Sequence, residues 1–154
     1  MGDQSCEFPL SNASDREIDG ILTTARTVAV VGLSDKPNRD SYRVADYLQR
    51  HGYRIVPVNP AAAAILGEKS YPDLASIPSA IAVDVVDIFR KPEFVSAVVE
   101  AAIARHARVV WMQLGIVHNA AAEKARAAGL GVVMDRCIKV EHARWLAAGG
   151  SRHA

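Results

Sequence analysis

Residues 27–58 read TVAVVGLSDKPNRDSYRVADYLQRHGYRIVPV, and their reading decides the fold. The run from Thr27 to Val31 is apolar and β-branched and ends at Gly32. A run of this kind, without polar alternation, predicts a strand buried on both faces. Ser41 then opens a helix as its expected cap. Val44, Tyr47 and Leu48 share one face of that helix, and Gly52 stops it. Residues 53–58 form a second strand. Pro57 lacks an N–H for the ladder and predicts that this strand is ending. Strand, helix and strand in succession make a β-α-β unit.

Upstream, Ser14 and Glu17 stand at capping-box spacing before Ile18, Ile21, Leu22 and Ala25, which predicts a helix over 14–25. Downstream, an Ala-rich turn at 61–66 leads to Gly67 and a short edge strand at 68–71. Residues 82–89 read as a strand, followed by a helix with Pro92 in its first turn. A strand at 109–112, a helix capped by Asn119 and ended by Gly129, a strand at 132–134 and a helix at 139–147 complete the chain. This alternation predicts a single α/β domain, a Rossmann-like doubly wound parallel sheet. The expected architecture is five parallel strands plus an edge strand, in the order 3-2-1-4-5-6. Residues 1–13 and 148–154 are expected as loose tails around a domain spanning 14–147.

Composition bounds the function. The chain has 154 residues, 23% charged and 50% hydrophobic, with a net charge of +1. That is globular composition with no bias toward nucleic acid or an anionic membrane. Its apolar runs fall short of the ~20 residues of a membrane span. The N-terminus lacks the basic and apolar regions of a secretory signal, and Cys6 stands where N-myristoylation wants Ser or Thr. The two cysteines, Cys6 and Cys137, lie far apart in the chain, so a reducing cytoplasm is the expected location.

Charge is placed unevenly. Ligands of such sheets bind at the carboxyl ends of the strands. The segments expected there hold Lys36, Arg39, Arg43, Arg90, Lys91, Arg136 and Lys139 against Asp35, Asp40 and Asp135, a balance of +4. The rest of the chain carries −3. One edge is therefore expected to attract an anion. Its sharpest feature is the loop after the first strand. Gly32 permits close approach, Ser41 opens a helix whose free N–H groups attract phosphate, and Lys36, Arg39 and Arg43 surround it. G-x-G-x-x-G is absent, and Val58, Asn59 and Pro60 stand where an acid would hold a ribose, so plain NAD binding is disfavoured. The Walker sequence is absent as well.

Several words of the sequence carry a family resemblance. They are GLSDKPNRDSYRVADYL (32–48), GYRIVPVNP (52–60), LGEKSYPDL (66–74), DVVDIFRKPE (84–93), VVWMQLGI (109–116) and GLGVVMDRCIKVEH (129–142). From residue 27 to about 146 the chain resembles the small stand-alone CoA-binding proteins of the YccU-like group. The same domain type resembles the CoA-binding half of succinyl-CoA synthetase α subunits. The resemblance implies coenzyme A as ligand, free or as a thioester. It implies contacts at Gly32, Leu33 and Ser34, at Ser41, Tyr42 and Arg43, at Pro57, Val58, Asn59 and Pro60, and at Ile88, Phe89 and Arg90. Gln113 is expected to face the same cleft. The second domain of the ligases, with its phosphorylated His, has no counterpart here, so ligase activity does not carry over.

Other residues read as structural. Asp84 and Asp87, three apart on a strand, face opposite ways and make no carboxyl dyad; one is expected to pair with a cation or a helix end. Cys137 and His142 complete no ligand set, and Cys137 reads as a small core residue. His118 reads as a cap or loop residue and Trp111 as core or interface. The expected function is CoA binding without chemistry, with no catalytic or metal-ligating residue. Two rivals are an NADP-dependent oxidoreductase, with Arg39 or Arg43 on the 2′-phosphate, and a CoA-binding subunit that partners a ligase or acyltransferase. A protein partner or a homo-oligomer is left open.

Overall fold

The computed structural model describes residues 7–151. Cys6, with the rest of 1–6, and residues 152–154 lie outside them. In chain order the elements are α1 (Asp15–Thr24), β1 (Thr27–Val31), α2 (Asp40–Arg50), β2 (Arg54–Val58), β3 (Ala64–Ile65), β4 (Glu68–Lys69), β5 (Val85–Ile88), α3 (Pro92–Ala104), β6 (Val109–Met112), α4 (Asn119–Ala127), β7 (Gly131–Val133) and α5 (Ile138–Ala147). A 3-10 turn spans Leu74–Ser76.

Five parallel strands form one sheet in the order β2-β1-β5-β6-β7. This is the expected Rossmann-like α/β single domain. The third place of the expected order is reduced to one parallel bridge, Tyr71 beside Val58. Its neighbours Glu68 and Lys69 pair instead with Ile65 and Ala64 in a two-stranded hairpin. Leu66 and Gly67 turn that hairpin with φ of 55° and 76°, the signs a tight hairpin turn requires. As expected, the strand is ending at Pro57: β2 stops one residue later, at Val58, still in register with β1. The Pro57 carbonyl accepts the Tyr71 N–H at 3.0 Å. Its polar positions therefore face the outer edge, where the missing N–H breaks no ladder bond.

Every residue of β1, β5 and β6 is buried, because helices cover both faces. Ala29, Val31, Val86, Ile88, Val110 and Met112 pack toward Val95 and Val99 of α3 and Ala121, Ala122 and Ala125 of α4. Val28, Val30, Ile55, Val85, Trp111 and Val133 pack toward Ile18 and Leu22 of α1, Val44 and Leu48 of α2 and Ile138 of α5. The helix signals are realised with small shifts. The Ser14–Glu17 capping box closes in both directions. Ser41 is not the cap of α2: that place falls to Arg39, which makes no side-chain cap bond. His118, rather than Asn119, caps α4, accepting from the Ala121 N–H at 3.0 Å.

Residues 7–13, expected within a loose tail, lie against α4 and β7. Glu7 accepts from the Asn119 N–H at 2.8 Å, and Asn12 bonds both the N–H and the carbonyl of Met134. Among the described residues no helix is long and apolar enough to cross a membrane.

Candidate ligand-binding site at the carboxyl edge of the sheet

β1 pairs with β2 on one side and β5 on the other, so the chain reverses its winding between β1 and β5. The crevice over the carboxyl ends of these two strands is where such sheets take ligands. Gly32 stands at its base with φ of 86°. A Cβ there would meet the Phe89 carbonyl oxygen at 2.3 Å. Only glycine brings the two loops this close.

The loop after β1 is knitted by its own bonds. The Ser34 N–H donates to the Ser41 hydroxyl at 3.0 Å, and the Lys36 N–H donates to the Ser34 hydroxyl at 3.1 Å. The Ser41 hydroxyl thus orders the loop instead of capping the helix. Because Arg39 caps with backbone alone, the first N–H groups of α2 are left for solvent or an anion. Lys36 and Arg39 are exposed, with no ion pair among the described residues. Arg43 is partly engaged by its own loop. It donates to the Asn38 carbonyl at 2.5 Å and lies 3.6 Å from Asp40.

Two clefts open beside this loop. The first, of about 260 Å3, lies on the α3 side and is lined by Val31, Val58, Leu74, Arg90 and Phe94, among others. The Arg90 guanidinium sits 4.3 Å from the centre of the Phe94 ring. The second, of about 350 Å3, is lined by Arg43, Val44, Phe89, Gln113, Ile116, Cys137 and Lys139. Phe89 and Arg90, consecutive in the chain, stand one in each cleft.

The expected contact residues divide by exposure. Gly32, Ser34, Lys36, Arg39, Tyr42, Arg43, Pro60, Phe89 and Arg90 present accessible surface along this edge. Leu33, Ser41, Pro57, Val58, Ile88 and Gln113 are buried and form its floor. Asn59 is a fastener: its amide donates to the Leu33 carbonyl at 2.8 Å, and its side-chain oxygen accepts from the Ala61 N–H at 2.8 Å. Sequence reasoning missed Leu74 and Phe94 as cleft residues. Phe94, in the first turn of α3, is 44% exposed. Its place two residues after Pro92, just beyond a strand end, was the available signal.

Gln113 is 3% exposed and donates to Asp87, which is wholly buried on the central strand. The other Asp87 oxygen has no hydrogen-bond partner. Burial pushes the Asp87 carboxyl up to about 8, against a smaller downward pull from the Gln113 amide. At neutral pH this side chain is therefore mostly a neutral acid. Asp84 faces away from it and accepts the N–H groups of Arg26 and Thr27 at 2.9 and 3.0 Å. Neither acid pairs with a cation or a helix end, contrary to expectation. Asp84 instead closes the start of β1, and Asp87 is satisfied by an amide.

Trp111 is core, with its indole N–H on the Arg136 carbonyl at 2.8 Å. His142 is buried, with its Nδ1 2.9 Å from the Tyr47 hydroxyl, and it packs on the Trp145 ring. Cys137 is half-buried at the cap position of α5 and makes no side-chain cap bond there.

Comparison with known proteins bears on the fold and the family. YneT of Bacillus subtilis (strain 168) is 41% identical over 134 residues, covering 87% of this chain and 98% of that protein. The structure of a hypothetical protein from Pyrococcus horikoshii OT3 superposes with a TM-score of 0.84 at 41% identity. That match covers 95% of this chain and 99% of the other. The dinucleotide-forming acetyl-coenzyme A synthetase 1 of Ca. Korarchaeum cryptofilum shares the fold at 22% identity. Its TM-score is 0.64, with 74% of this chain and 27% of that one covered. The model of the CoA binding domain matches residues 26–143, from the start of β1 into α5. The chain belongs to the CoA binding domain family.

Proposed function

We propose that this protein binds coenzyme A, free or as a thioester, and holds it without acting on it chemically. The phosphates lie over Gly32 and Ser34 and at the start of α2. The nucleotide end occupies the first cleft, beside Arg90 and Phe94, and the arm runs past Phe89 toward Gln113 in the second. The observation that carries this reading is the start of α2. It lacks a side-chain cap, ends the loop that opens at the crowded Gly32, and carries Lys36 and Arg39, which have no carboxylate partner among the described residues. Helix N–H groups hold part of a pyrophosphate, and long cations reach the remaining oxygens.

Calorimetric titration with CoA and dephospho-CoA tests the reading. CoA binds more tightly, because its extra phosphate meets the cations of this edge, and raised salt narrows the gap. An exposed cation–phosphate contact is worth ~1 kcal/mol and a desolvated one ~2–3 kcal/mol. Arg39→Ala therefore weakens CoA binding by roughly five- to a hundredfold. Arg43→Ala does less, since Arg43 is already shared with Asn38 and Asp40. Equal affinity for both ligands, unchanged in Lys36→Ala, Arg39→Ala and Arg43→Ala, removes the electrostatic argument. Tighter binding of NADPH than of CoA overturns the reading itself.

A further inference from the structure

Arg105 ends α3 at the edge of the sheet opposite the clefts. Its guanidinium donates to four backbone carbonyls of a single segment. One nitrogen reaches the Ile77 oxygen at 2.6 Å and the Leu74 oxygen at 3.2 Å. The other reaches the Pro78 oxygen at 2.7 Å and the Ile81 oxygen at 3.0 Å. The segment runs from the Tyr71 bridge to β5 and is joined to no strand ladder in between. Its internal bonds are local: Ile77 N–H to Leu74, Ile81 N–H to Pro78, and Asp73 holding Ser76. Leu74 and Ile77 bury their side chains in the core beside Val95 and Val99 of α3, and the guanidinium fixes the backbone of these short turns against the end of that helix. The same segment supplies Pro72, Asp73 and Leu74 to the wall of the first cleft.

We infer that Arg105 is a positioning residue for the nucleotide end of the ligand, an inference that rests on the CoA reading above. It touches no ligand. It sets the place of the Pro72, Asp73 and Leu74 wall by fixing the turn that follows. The planar fork of arginine spans several carbonyls at once, whereas the point charge of lysine serves one or two. Without it, the half-buried carbonyls of Ile77 and Ile81 lose their donor and the wall shifts.

The test compares wild type, Arg105→Ala and Arg105→Lys. Titration uses CoA, 3′,5′-ADP for the nucleotide end, and 4′-phosphopantetheine, in competition with CoA, for the arm. Both variants are expected to lose roughly tenfold in affinity for CoA and 3′,5′-ADP, and under about twofold for 4′-phosphopantetheine. Arg105→Lys, which keeps the charge and stem, keeps the fold intact and retains most of the loss. Amide hydrogen exchange accelerates over residues 72–81 in both. Equal losses for the two fragments mean a global stability effect and overturn the inference, as does unchanged affinity for 3′,5′-ADP. If wild type binds neither CoA nor 3′,5′-ADP, the CoA reading itself has failed, an outcome distinct from a variant-specific loss.

Discussion

Asp87→Asn stabilises the fold, and the gain widens as pH rises from about 4 to about 8. The carboxyl lies on the central strand with one oxygen unpartnered, and burial raises it from the ordinary 3.8 to about 8. Between those values the folded protein holds a proton at Asp87 that the unfolded chain has released. The native state then binds more protons than the unfolded one, so stability falls as pH rises through this window. The slope from one such group is about 1.4 kcal/mol per pH unit. Above about 8 the folded carboxyl ionises too, and the loss levels off. Asn has the same shape, needs no proton, and still pairs with the Gln113 amide. Urea unfolding of both proteins at about pH 5, 6, 7 and 8 checks this. The difference between them grows by kcal/mol across the series. Parallel stability curves would show that Asp87 is ionised in the folded protein and disprove the assignment.

Gly32→Ala has the second large effect. A Cβ at this position meets the Phe89 oxygen at 2.3 Å and the Arg90 side chain at 3.2 Å, with φ at 86°. The first neighbour is backbone and cannot swing away, so the loops after β1 and β5 are forced apart. The expected cost is about 2–4 kcal/mol, from strain and lost packing together. CoA binding falls with it, because the base of the crevice opens. Gly67→Ala is the internal comparison. Its φ is 76°, but nothing lies within 4 Å of the new Cβ, so it bears only the backbone term of about 1–2 kcal/mol. Chemical denaturation and calorimetry of the two variants separate the effects. A Gly32→Ala protein as stable and as tight-binding as Gly67→Ala refutes the steric account.

Most of the fold was legible because its signals are local. A β-branched run ending in Gly32, helical spacing at Val44, Tyr47 and Leu48, and the capping box at Ser14 and Glu17 each specify an element within a few residues. Alternation of such elements leaves few topologies. The charge of the carboxyl edge followed from the element order alone, since every loop after a strand lands there. Errors arose where two neighbours compete for one role. Ser41 and Asn119 are good caps by type, but Arg39 and His118 hold those positions. The Ser41 hydroxyl is taken by Ser34, and Asn119 binds the segment at Glu7 and Phe8.

The sequence by itself determined the Rossmann-like sheet, the positive charge of its carboxyl edge and the glycine at the base of the crevice. Tertiary structure alone decided which side chains meet in and behind the clefts. Gln113 meets Asp87 across 26 positions, and Arg105 reaches carbonyls 24 to 31 positions away. Phe94 becomes a cleft wall only when α3 lies against β5 and the Leu74 turn. Those meetings depend on strand register and helix placement, which are set by the packing of the whole core and leave no mark at either residue.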